Sequence, residues 1–97
     1  MTTKFHDYDV ALHLRTPSEM AAYLEAAIDE SDGDAAFIAV ALGDIARASG
    51  MAELARKTGL GRESLYKALS AEGNPQLSTV LKVAKALGLE LHVKPAA

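Results

Sequence analysis

Apolar residues recur along this chain at two spacings, and the change from one to the other outlines the fold. Met20, Tyr23, Leu24, Ala27 and Ile28 fall three or four apart, the spacing that lines one face of a helix. Thr16-Pro17-Ser18-Glu19 supplies its start, with Thr16 as N-cap, Pro17 at the first helical position and Glu19 closing a capping box. That helix runs to about Glu30, and Asp32-Gly33 makes a turn. Asp34 is then the N-cap of a second helix carrying Phe37, Ile38, Ala41, Leu42 and Ile45 and ending near Ser49-Gly50. Gly43 inside it costs about 1 kcal/mol relative to alanine, which predicts a close helix crossing at that point.

Three shorter helical segments follow, at 51–57, 62–70 and 77–87, separated by glycine-bearing turns. Between the last two lies Glu72-Gly73-Asn74-Pro75, where Pro75 predicts an extended Asn74. Gly88 stands where a left-handed residue ends the final helix. At both chain ends the spacing changes to two. Tyr8, Val10, Leu12 and Leu14 alternate with Asp7, Asp9, Ala11 and His13, and predict a strand or extended arm. Leu89 to Lys94 alternates strictly and predicts a strand stopped by Pro95. A lone strand needs a partner, either the N-terminal arm or the same strand of a second subunit. The predicted fold class is therefore all-α, five helices with short extended N- and C-terminal segments.

Composition fits one folded domain: 97 residues, 49% hydrophobic and 24% charged, with alanine favouring close helix packing. Cysteine is absent, which excludes disulfides and thiolate metal sites and fits a reducing compartment. No apolar run reaches the roughly 18 residues of a membrane span, and MTTKFHDYDV lacks the hydrophobic length of a signal peptide. A cytoplasmic location is the expectation.

The net charge of −3 argues at first against a nucleic-acid partner, but it averages two unlike halves. Residues 1–49 hold three basic and nine acidic residues, a net of −6. Residues 50–97 hold seven basic and four acidic, a net of +3. Two surfaces with different partners, or two solvated faces, both account for such a split.

Residues 51–70 have the layout of a helix-turn-helix: Leu54 and Ala55 on a first helix, a tight turn at Gly59, Leu60, then Leu65, Ala68 and Leu69 on a second. Ala55 allows the two helices to cross closely, Gly59 supplies a positive φ, and the four leucines form the wedge between them. Arg62, Glu63, Tyr66, Lys67 and Ser70 are then left on the outer face. In a recognition helix the N-terminal residues meet base edges in the major groove. Arg62 suits the O6 and N7 of guanine, a bidentate pair worth about 1 to 3 kcal/mol of discrimination, and Glu63 suits cytosine N4. Tyr66 and Lys67 reach phosphate or bases one turn on, and the amides at Gly61 and Arg62 favour a phosphate. A tight helical hairpin with a solvated charged face has the same spacing.

The run ALGDIARASGMAELARKTGLGRESLYKALSAEGNPQLSTVLKVAKALGLELHV resembles the lambda-repressor-like helix-turn-helix domains of the addiction-module antidote family, the HigA-like antitoxins of type II toxin-antitoxin pairs. YDVALHLRTPSEMAAYLEAAIDE resembles that family's N-terminal arm and first helix, so nearly the whole chain is covered. Many relatives carry serine or threonine before the recognition-helix arginine, where this chain has Gly61, which weakens the cap. The resemblance implies a homodimer that neutralises a basic toxin of the RelE/ParE superfamily and represses its own operon at an operator palindrome. The implied DNA-binding residues are Gly61, Arg62, Glu63, Ser64, Tyr66 and Lys67, within a domain at 34–97. Residues 1–33, an arm and an acidic helix, become the candidate surface for toxin contact or for dimerisation, with Glu19, Tyr23, Glu25, Asp29 and Glu30 as the candidate partner-binding residues. A stand-alone transcriptional regulator of the same fold would read alike, and a neighbouring reading frame for a basic protein would separate the two.

Enzymatic readings are weak. Ser64 and Lys67 make an S-x-x-K pair without the companion motifs of a serine acyl-enzyme. His6, His13 and His92 have no metal-ligand spacing. No enzyme activity, metal or cofactor is expected.

Overall fold

A computed structural model describes residues 14–96, which form five helices: α1 (Pro17–Ser31), α2 (Ala35–Ser49), α3 (Met51–Thr58), α4 (Arg62–Ala68) and α5 (Leu77–Ala86). The alternating arm at residues 8–13 lies outside the described residues, and so do His6 and His13.

The two long helices start as their local sequence dictates. Glu19 N donates to Thr16 Oγ1 at 3.1 Å, while Glu19 Oε1 accepts from Thr16 N at 3.1 Å and Arg15 N at 2.7 Å, completing the capping box. Asp34 caps α2 by accepting from Ala36 N at 3.2 Å. Each cap satisfies amide donors that the helix itself leaves unpaired. From the predicted apolar stripe of α1, Met20 and Ala27 are buried and Tyr23 and Leu24 pack against the core. Ile28 departs from that expectation and stands 42% exposed.

α1 packs along α2, and α3 packs on α2, α4 and α5. At Gly50 (φ 111°) the chain turns through 104° between α2 and α3. The core gathers Leu14, Met20 from α1, Leu42 and Ile45 from α2, Leu54 from α3, Leu65 from α4 with Leu69 at its C-cap, and Val83 from α5 with Leu87 at its C-cap. No single helix among the described residues is long and apolar enough to cross a membrane.

The close approach predicted at Gly43 is present. The neighbour is not a crossing helix but the backbone just after α4: a Cβ at Gly43 would collide with the carbonyl oxygen of Leu69, so glycine lets that turn sit on α2. Gly73 has the same role in the next turn, because a Cβ would strike the carbonyl oxygens of Lys67 and Ala68. α5 ends in a Schellman motif: Gly88 (φ 82°) donates to Lys85 O at 3.0 Å and Leu89 to Ala84 O at 2.9 Å.

Three expectations need correction. The fourth helix stops at Ala68 rather than at residue 70, because the chain folds back so that Gly73 N donates to Ser70 O at 3.0 Å. Asn74 is left-handed, with φ 44°, rather than extended. Asparagine tolerates that region, and the turn seated on the end of α4 overrides the proline preference. The strand at 89–94 does not form, and no strand occurs among the described residues. A strand exists only through its neighbour's hydrogen bonds, and among the described residues the segment beside the tail is the helix α1, whose backbone bonds are already spent within the helix.

Candidate nucleic-acid interface

The hairpin of α3 and α4 is closed by side chain as well as backbone. Gly59 (φ 77°) ends α3 and donates to Ala55 O at 2.9 Å. Thr58 Oγ1 donates to Leu54 O at 2.8 Å and accepts from Leu60 N at 3.2 Å, spanning the turn from one side to the other. That clasp was not read from the sequence, although a threonine directly before a C-terminal glycine is a recognisable turn signal. Leu54, Leu65 and Leu69 are buried, and Ala55 and Leu60 pack against them.

With Leu65, and Leu69 just past its end, holding α4 from behind, the side chains of Arg62, Glu63, Ser64, Tyr66 and Lys67 turn outward. Gly61, Arg62, Glu63, Ser64, Tyr66 and Lys67 are all exposed, Tyr66 by 42%. Glu63, Ser64, Tyr66 and Lys67 line one shallow, open depression. Ser70, expected on the same face, is half-buried, and its hydroxyl donates to Lys67 O at 2.8 Å. Gly61 caps α4 in an extended conformation (φ −69°) with no side-chain hydrogen bond, as expected from the missing hydroxyl. On α3, Glu53 holds the guanidinium of Arg56 and the ammonium of Lys57, the latter at 3.9 Å. That leaves Arg62 and Lys67 as the cations on the outer face of α4.

Ser64 and Lys67 share an open helix surface without enclosing walls, whereas an activated serine needs a base within hydrogen-bond reach in a water-excluding pocket. His92 lies on the exposed tail, 3.0 Å from Glu90.

The acidic residues of α1 take several situations. Glu25, Asp29 and Glu30 are exposed, and the Glu19 carboxylate takes part in the capping box. Tyr23 is half-buried, and its hydroxyl donates to Asp44 Oδ2 at 2.7 Å; Asp44 Oδ1 also accepts from Arg47 at 3.0 Å. This tie between α1 and α2 joins residues far apart in the chain, so no local spacing announces it.

An uncharacterized protein of Haemophilus influenzae is 48% identical over 94 residues, which cover 97% of this chain and 95% of that protein. No solved structure matches. A family model described as "Probable addiction module antidote protein" matches residues 4–95. With only the first three and last two residues outside that match, the chain belongs to the addiction module antidote family.

Proposed function

We propose that the protein is the antitoxin of a type II toxin-antitoxin module, which binds its own operator through α4 and neutralises a basic toxin of the RelE/ParE type. Family membership supports the antitoxin role. The observation that carries the DNA reading is the division of α4: Leu65 is entirely enclosed while Arg62, Glu63, Ser64, Tyr66 and Lys67 all face solvent. A helix held only from behind is free to enter a major groove. Arg62, at its first position, is the guanine reader, Glu63 the selector for cytosine, and Tyr66 and Lys67 contact phosphate or base edges.

At 1.5 Å per residue, the seven residues of α4 span only about 10 Å. One copy reads too few base pairs for operator specificity, so a homodimer on a palindrome is part of the reading. In this division of labour, residues 34–97 serve DNA and the acidic α1 serves the toxin.

The test is a titration against the protein's own upstream promoter and a scrambled duplex at two salt concentrations. Preference for the promoter should survive moderate salt, with overall affinity falling as salt rises. Arg62→Ala should relax specificity, costing about 1 to 3 kcal/mol on the promoter, whereas Lys67→Ala should weaken all duplexes alike. Unchanged promoter binding in both variants would remove α4 as the reading helix.

A further inference from the structure

An open groove runs between α1 and the C-terminal tail, with Leu24, Ile28, Leu89 and Leu91 along its walls and Glu25 and Glu90 beside them. Leu24 and Leu89 pack down onto the core, whereas Ile28 is 42% and Leu91 50% exposed. Large aliphatic side chains presented together to water mark a contact surface more often than isolated ones do. The tail forming one wall has no regular secondary structure, and among the described residues no strand pairs with it; a further chain laid along it could hydrogen-bond to its backbone.

We propose that this groove docks an extended basic segment of the toxin, whose apolar side chains enter between Ile28 and Leu91 while its lysines or arginines meet Glu25 and Glu90. The inference rests on the antitoxin reading above and locates the toxin contact within the acidic half.

Charge selects this occupant over those that the chain itself supplies. α1 contains Glu19, Glu25, Asp29 and Glu30 and no lysine or arginine. A second copy turned onto the groove about a two-fold axis would bring the Glu25 and Glu90 rims against each other, and like charges in apposition are unfavourable. Residues 1–13 of the chain carry Asp7 and Asp9 against Lys4 and bring no cationic excess. A basic segment satisfies the apolar walls and the acidic rim together. His92, 3.0 Å from Glu90, holds that carboxylate beside the groove.

The full-length protein and three variants, Ile28→Lys, Leu91→Lys and Glu25→Lys, all at exposed positions, would be titrated calorimetrically with the protein encoded by the neighbouring reading frame. Promoter binding, molecular mass and thermal midpoint would be measured in parallel. Each variant is expected to lower affinity for that protein by about tenfold or more, with the Glu25→Lys effect shrinking as salt rises. Promoter affinity and thermal midpoint should stay at wild-type values. Equal affinity for wild type and all three variants overturns the groove as the docking site. So does a drop in thermal midpoint without the partner, which would mean that the chain's own N-terminal segment covers the groove. A loss of dimer in the variants would assign the groove to a second copy and overturn the proposal as well. If the wild-type protein neither binds the neighbouring gene product nor relieves its toxicity, the antitoxin reading fails and the groove proposal fails with it.

Discussion

α1 and α4 are held in place by opposite means. α1 is fifteen residues long and begins in a capping box that its own sequence completes, with Thr16 and Glu19 satisfying each other's backbone amides. α4 is seven residues long, has a glycine N-cap with no side-chain bond, and depends on Leu65 and Leu69 in the core. A helix this short is unstable alone, since nucleation costs more than so few hydrogen bonds return. The difference teaches that α1 is specified by its neighbours in sequence and α4 by its neighbours in space.

The sharpest way to break this comparison is to remove the spatial support. Leu65→Ala should cost about 2 to 5 kcal/mol, the range for emptying a closed leucine site, read as a fall in the denaturant midpoint. A smaller loss than that from removing the cap of α1 would contradict the reading of α4. Gly43→Ala tests the seat of α4 from the other side. Its methyl group meets the Leu69 carbonyl, and overpacking of this kind should cost about 1 to 3 kcal/mol and disturb amide resonances of α4 as well as α2. Thr16→Ala removes the local device of α1 and should cost about 1 kcal/mol, with faster amide exchange confined to the first turn. Gly61→Ser is the smallest change. A serine cap should stabilise α4 by a few tenths of a kcal/mol and slow amide exchange at Glu63 and Ser64, with the core unaffected.

What was legible in the sequence follows the same line. The capping box, the Asp34 cap, the turn glycines 59 and 88 and the leucine wedge were all readable, because each depends on a few consecutive residues or on one helical period. Gly43 was readable for a different reason: a poor helix former in a strong helix implies a neighbour, and the Leu69 carbonyl is that neighbour. The tail misled because alternation reports only that residues suit a strand, while forming one depends on a partner that no local pattern specifies. Asn74 misled because a rule about one dipeptide yielded to the turn that packs Gly73 on α4. For the candidate site, the outward set on α4 could be listed by subtracting the buried leucines. The bond between Tyr23 and Asp44 and the groove between α1 and the tail each join segments that only the fold brings together.

The glycine seats behind α4 also bear on how this family can diversify. Stability is fixed at Gly43, Leu65, Leu69 and Gly73, all of which face the protein, while Arg62, Glu63, Ser64, Tyr66 and Lys67 face away from it. Substitutions at exposed positions generally change stability by no more than about 0.5 kcal/mol. Under the proposed DNA-reading role, selection for folding would act on Leu65 within α4 and on Gly43, Leu69 and Gly73 around it, and selection for the sequence read would act on the outer residues of α4. On that proposal, a duplicated copy of such a gene would acquire a new target by rewriting the outer letters alone, without passing through an unfolded ancestor.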